Sequence, residues 1–313
     1  MSDDRARRKT IRILAILCGI CSLAVVALSA YLRLDAAGLG CANWPACYGS
    51  LLANPLMPLQ YGLPRRLHRL LASLDLVLAC FLLWRCMRPY PIQPATRQAM
   101  ALLLLILLLA GLGFFSADPR RALVAFLNII GGMVLVVFSW RVAVASAPAS
   151  SGMEVQQPVS SGLFVFAGVT LALTVALGGW LGATYSAAAC LSLPACNGVW
   201  WPQAAGWAVL NPFVTLSSAP PPGDPGAVGL HLLHRALALV ACLATGALAV
   251  SGLRYRSVRG TAILALLLLA LVAGLGGAAV SSGLSLWLVI GHGIAATLLL
   301  AAVADLSSRY RIT

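Results

Sequence analysis

The chain alternates between long, almost uninterrupted apolar runs and short breaks made of charged residues or of Pro and Gly. Eight runs stand out, at residues 13–32, 67–84, 99–116, 123–140, 163–184, 230–250, 261–281 and 286–304. Each approaches the roughly 20 residues that an α-helix needs to cross a hydrocarbon core about 30 Å thick. In that medium every backbone N–H and C=O must be paired within the segment, so the runs are predicted to be helices. The predicted fold class is an all-α polytopic membrane protein, its eight transmembrane helices arranged as two pseudo-symmetric four-helix bundles.

Composition narrows the class further. The 313 residues are 61% hydrophobic and 9% charged, against about 25% charged in a soluble domain, which argues against a cytosolic enzyme. The formal charge of +13 is read as loop topology and not as a nucleic-acid footprint, because Lys and Arg mark the loops kept in the cytoplasm. With both termini inside, fourteen of the 21 basic residues fall on the cytoplasmic side. The remaining seven, Arg33, Arg65, Arg66, Arg69, Arg120, Arg121 and Arg235, fall outside. No cleavable signal or transit-like extension is evident, so the expected location is a bacterial inner (cytoplasmic) membrane, with both termini cytoplasmic. The Ala-, Ser-, Pro- and Gln-rich stretch 146–161 reads as a cytoplasmic linker between halves 1–145 and 162–313.

The halves repeat. Cys41-Ala-Asn-Trp-Pro-Ala-Cys47-Tyr-Gly49 returns as Cys190-Leu-Ser-Leu-Pro-Ala-Cys196-Asn-Gly198, 149 residues later. Leu67-His68-Arg69 returns as Leu233-His234-Arg235 at an offset of 166, and Gly111-Leu-Gly113 as Gly274-Leu-Gly276 at 163. Each half holds an even number of spans, so the repeats are parallel, related by an axis along the membrane normal.

Nine cysteines divide by position. Cys18, Cys21, Cys80, Cys86 and Cys242 fall in or at the ends of spans and read as packing residues. Cys41/Cys47 and Cys190/Cys196 are short-range pairs in the two long outer loops, where an oxidising compartment permits disulfides. Two structural disulfides are favoured over a thiolate zinc site, because five intervening residues do not suit the usual zinc knuckle.

Four histidines are present, His68, His231, His234 and His292. His234 and His292 start from the outer ends of spans six and eight and lie at similar depth. Two neutral imidazoles from facing helices are a common way to hold a six-coordinate heme iron in a bundle, and an interfacial cap or hydrogen-bond donor is the plainer alternative. Arg235 beside His234, and Arg69 beside His68, would stand where heme propionates emerge, since a guanidinium matches a carboxylate bidentately. Gly291 and Gly293 flank His292 and would let a flat macrocycle approach, or would simply pack helices.

On these residues the sequence resembles the heme A synthase family of respiratory-oxidase biogenesis. The likeness is carried by Arg33-Leu-Asp-Ala-Ala-Gly-Leu-Gly-Cys41-Ala-Asn-Trp44-Pro45-Ala-Cys47-Tyr-Gly49, His68-Arg69, the second cysteine loop, His234-Arg235 and His292. The resemblance implies oxidation of the C8 methyl of heme O to the formyl of heme A at an N-terminal site. It implies a heme b in the C-terminal half with His234 and His292 as axial ligands. His68 would then be one of two histidines, and an iron ligand, at the site for substrate heme O. Heme O and the lipid bilayer are the implied partners, heme O synthase and an electron donor are candidate ones, and a homo-oligomer is a candidate assembly.

The N-terminal half departs from that pattern. The family places Glu three residues before the first His, where this chain has Arg65, and the only Glu of the chain is Glu154 in the linker. The family also expects a His in span four, where the repeat points to Asn128, and an amide is a poor iron ligand. Asp75, two turns below His68 on the same face, is the candidate to move protons, with a carboxyl packed between helices as the competing reading. Asp35 is a second outer-side carboxylate and reads as a solvated loop residue. His231, at the repeat position of Arg65, could hydrogen-bond near the heme edge, but reads first as an interfacial histidine without a ligand role. In the enzymatic reading His68 binds iron, Arg65, Arg66 and Arg69 hold propionates, and Asp75 or Asp35 carries protons. The rival is a catalytically degenerate paralogue that keeps heme b and serves as a heme-binding or electron-transfer protein. A transporter is the third reading, supported only by the repeats.

Overall fold

The computed structural model describes residues 2–39, 62–115, 120–146, 157–201, 209–213, 216 and 219–312. Eight helices run through them: α1 (Ser2–Ala36), α2 (Gly62–Met87), α3 (Gln93–Gly113), α4 (Ala122–Ala145), α5 (Ser161–Ala183), α6 (Pro225–Gly252), α7 (Arg259–Ser281) and α8 (Leu286–Arg309). All eight contain stretches long and apolar enough to cross a membrane, as an all-α polytopic membrane protein requires. Leucines such as Leu104, Leu108, Leu239, Leu243 and Leu267 point outward, an arrangement suited to lipid and not to water. A short parallel pair, Gln157–Val159 on Tyr310–Ile312, ties the end of the linker to the C-terminal tail.

Helix starts differ from the hydropathy boundaries for local reasons. α1 begins at Ser2, well before the apolar run, because its polar first turns pack on α2. Arg7 is buried there and donates to the carbonyls of Arg85 (3.1 Å), Cys86 (2.8 Å) and Tyr90 (2.7 Å). Those contacts satisfy carbonyls that the C-terminus of α2 leaves without intrahelical donors. α3 begins at Gln93 with Pro94 in its first turn, where a missing N–H costs nothing. Asp224 caps α6, its Oδ1 accepting from the Ala227 N–H at 2.9 Å, and Pro225 follows at the first helical position.

The helices form two rings of four. In the first, α1 and α3 each pack on α2 and α4, which leaves α2 and α4 facing one another across the bundle. In the second, α6 packs on α5 and α7, and α7 packs on α8, so α6 and α8 hold the same diagonal. The rings meet through α4 against α8, flanked by α4 with α5 and α1 with α8. That pattern maps onto itself when the halves are exchanged, as a two-fold axis through the α4–α8 contact demands.

One neighbour relation breaks the symmetry. α1 and α4 pack along their length, whereas α5 and α8, their counterparts, barely touch. Gly132 lets α4 close on α1: a Cβ there would stand 2.8 Å from Val26 Cγ2. Away from its histidine end the second ring is closed by a core of Leu248, Leu268, Leu299, Ala302 and Leu306. His234 and His292 lie toward the other end, on α6 and α8.

Candidate functional site

His234 is the tenth residue of α6 and His292 the seventh of α8, counted from ends on the same side of the bundle. His234 Nδ1 lies 3.1 Å from the carbonyl oxygen of Thr174 on α5, and His292 Nδ1 lies 2.8 Å from that of Val272 on α7. A carbonyl can only accept, so both contacts require the proton on Nδ1 and leave the Nε2 lone pair free. The carbonyls already accept within their own helices, and the histidines use their second lone pairs.

Each carbonyl is reachable because of a glycine four residues on. A helical Cβ tilts toward the N-terminus and covers the turn behind it, so glycine at position i+4 uncovers the carbonyl of residue i. Gly178 follows Thr174 and Gly276 follows Val272. A Cβ at Gly178 would stand 2.9 Å from His234 Cε1, and one at Gly276 would stand 3.0 Å from His292 Cε1. The two seats are therefore built alike: Nδ1 on a carbonyl, Cε1 close against glycine. The two rings come from α6 and α8, the diagonal pair of the second ring, at the same end of the bundle.

Above this pair stands the second cysteine loop. Cys190 and Cys196 are joined in a disulfide, their Cα atoms 5.1 Å apart. These two sulfurs, bonded to each other, are not thiolates for zinc. The loop closes through Asn197, whose side chain donates to the Ala189 carbonyl at 2.9 Å, and through paired backbone bonds between Cys196 and Val199. Pro194 presents its carbonyl to Arg235 Nη1 at 3.1 Å, so the loop holds the arginine next to His234. Cys41 and Cys47 lie outside the described residues. Among the described residues no three His, Cys, Asp or Glu side chains converge, so protein side chains alone make no metal cluster there.

In the first half the same positions are differently furnished. His68 is half-buried, and no hydrogen bond to a described residue seats it; Ser29 occupies the place of Gly178 at the repeat offset. Asn128 is the seventh residue of α4, as His292 is of α8. Gly113 mirrors Gly276 yet has nothing within 4 Å of its Cβ direction. Arg65, Arg66 and Arg69 are exposed at the start of α2. Asp75 is buried against α1, its Oδ2 accepting from Ser22 Oγ at 2.7 Å. The structure thus brings His234, His292 and Arg235 together and sets His68 and Asp75 in the other ring.

Sequence reasoning missed the glycine seats. Gly276 was visible as one of a repeated pair, but a repeat does not reveal which residue lies across from it, and Gly178 carried no signal at all. Of the glycines flanking His292, a Cβ at Gly291 would stand 3.6 Å from Leu275 Cδ1, while one at Gly293 would meet nothing within 4 Å. His231, near the start of α6, is buried.

The profile of the cytochrome oxidase assembly protein family matches residues 122–304, from the start of α4 almost to the end of α8. The chain belongs to that family. The matched stretch contains both histidine seats and the disulfide loop. A heme A synthase from Shewanella oneidensis is 30% identical over 215 residues, which cover 61% of this chain and 63% of that protein. The likeness to heme A synthases is thereby borne out, over somewhat under two thirds of the relative's length. This family member carries its most complete constellation in the half that the profile covers.

Proposed function

We propose that this protein acts in the heme biogenesis that supplies cytochrome oxidase, as a heme A synthase-type oxidoreductase of the inner membrane. The reaction is oxidation of the C8 methyl of heme O to the formyl of heme A, and the protein keeps a resident heme b in its C-terminal half. The observation that carries the reading is the matched pair of seats at His234 and His292. His234 and His292, two imidazoles with committed Nδ1 protons and free Nε2 lone pairs on diagonal helices, are the residues that would hold a heme iron. When bound, the heme supplies one-electron chemistry and a route for electrons. The chain's own part is to fix both rings through Thr174 and Val272, to keep water out with the close core beneath, and to offer Arg235 to a carboxylate.

Heme O is assigned to the first ring, with His68 as its iron ligand from α2. Arg65, Arg66 and Arg69, at the same end of that helix, suit its propionates. Asp75 serves proton movement from below, since an ionisable residue inside a span is a functional group by default. Both termini and the linker are placed on the cytoplasmic side and the disulfide loop outside, following the basic residues. Positions 65 and 128 and the close packing of α1 on α4 favour a second reading, in which the first ring has lost catalysis and the protein works as a heme b-bearing electron carrier.

Heme extraction and chromatography after co-expression with a heme O source decides between them. Heme A, or a heme hydroxylated at C8, together with heme b is the expected result. Heme b alone would hand the function to the electron-carrier reading, and no heme would remove both.

A further inference from the structure

His231 lies one turn before His234, at the end of α6 roofed by the Cys190–Cys196 loop. It is only 5% exposed, and neither ring nitrogen has a hydrogen-bond partner. Arg235 is four residues on, one turn further along the same face of α6. Its Nη1 is committed to the Pro194 carbonyl at 3.1 Å. Its Nε and Nη2 are buried and without partners. Nε and Nη2 form the side edge of the guanidinium, the pair of parallel N–H groups that grips both oxygens of a carboxylate. The loop therefore holds the arginine by its outer nitrogen and leaves the carboxylate-gripping edge turned inward, beside a buried imidazole with a proton to donate.

An apolar surround makes this arrangement specific. Ala189, Cys190, Cys196, Ala227 and Val228 pack together around the top of α6. Each buried N–H left unmet there costs on the order of 1–3 kcal/mol, so three at one place call for an anion with more than one acceptor oxygen.

We infer that His231 and Arg235 form a carboxylate-binding seat, closed above by the disulfide loop, for an acidic side arm of the porphyrin held at His234 and His292. The inference rests on the bis-histidine reading given above and extends it to a residue, His231, with no other role. It also gives the loop a task beyond covering the bundle: through Pro194 it sets the direction in which Arg235 faces. At the matching places in the first half, Arg65 and Arg69 flank His68, so both repeats set a cationic or hydrogen-bonding group three residues before and one residue after a histidine.

The test uses the full chain in detergent, prepared without heme and titrated with heme b and with heme b dimethyl ester, whose side arms are uncharged. Hydrogen bonds to a charged group predict that the wild type prefers the diacid by tenfold to a hundredfold or so. His231→Leu should lower diacid affinity about tenfold and leave ester affinity unchanged, and His231→Gln, which keeps a donor, should recover part of the loss. Equal wild-type affinity for the two hemes, or an equal loss for both in His231→Leu, would overturn the seat. Acetate competing as well as the diacid for the seat would keep its carboxylate chemistry but overturn its porphyrin source. Absence of any low-spin heme spectrum in the wild type would instead sink the bis-histidine reading, a result distinct from a bound heme indifferent to esterification.

Discussion

The ring of His234 rests on Gly178, so close that a single methyl group on that glycine would stand 2.9 Å from the imidazole Cε1. The contact couples α5 to α6 at the histidine proposed as a heme ligand, and the same device recurs at Gly276 and His292. Its logic is local. The glycine exposes a backbone carbonyl, the carbonyl fixes the Nδ1 proton, and the fixed proton leaves the Nε2 lone pair free.

Gly178→Ala and Gly276→Ala should each displace a histidine. Overpacking of this kind costs about 1–3 kcal/mol, and here the strain falls on the ring and on its bond to Thr174 or Val272. The expected outcome is folded protein with a lowered heme-to-protein ratio and a weakened or high-spin visible spectrum. Gly274→Ala is the control, since its Cβ would meet nothing within 4 Å. Spectra of Gly178→Ala and Gly274→Ala that cannot be told apart would mean that the seat does not position the ligand.

The histidines should separate by half. His234→Ala and His292→Ala should each abolish the low-spin heme spectrum, because removal of either ligand leaves the iron five-coordinate or unbound. His68→Ala should leave that spectrum intact and reduce only the conversion of heme O. Loss of the low-spin signal in His68→Ala would place the resident heme in the first ring and reverse the assignment.

Much of this was legible in the chain, and the remainder has identifiable causes. Eight helices follow from hydropathy because a membrane span is a one-dimensional property. The ends of α1 and α3 did not, since Arg7 bonding to the carbonyls at the end of α2, and Pro94 in a first turn, are matters of three-dimensional contact and capping. His234 and His292 were found by the repeat and by their common depth. The repeat also misled: it implies equal contacts in both halves, whereas α1 closes on α4 and α5 stands off α8. Ser29 in place of Gly178, and the small pair Gly131-Gly132 facing Leu109 and Val26, are the residue-level differences that accompany this. The burial of His231 was not legible, because it depends on packing at the start of α6, where the cysteine loop meets Ala227 and Val228.

The Cys190–Cys196 disulfide should stabilise the loop more than the bundle. A closed loop of this size removes chain entropy worth about 2 kcal/mol, so Cys190→Ser should lower the unfolding midpoint modestly without disturbing the spans. Its larger effect should fall on Arg235, whose tether to Pro194 depends on the loop. Thermal melts followed by tryptophan fluorescence, together with heme titration, would check both. A variant that melts earlier yet retains full heme affinity would show that the loop holds structure alone.

Asp75 offers the sharpest separation of structure from chemistry. It is 3% exposed, and Ser22 Oγ donates to its Oδ2 at 2.7 Å, while Oδ1 is buried without a partner. If the carboxyl only joins α1 to α2, Asp75→Asn should be benign, because the amide keeps an oxygen for Ser22 and fills the same space. If it carries protons for the first ring, Asp75→Asn should fold and bind heme b normally but lose heme O conversion by a factor of about 10² or more, the usual scale of a lost general acid or base. Asp75→Ala should be worse in either case, since it strands the Ser22 hydroxyl at a cost of roughly 1–3 kcal/mol. The proton-carrying role predicts that the asparagine variant makes no heme A while its heme b spectrum and melting temperature match the wild type. Full conversion by that variant would assign Asp75 to packing and leave the first ring without an acidic group inside the membrane among its described residues.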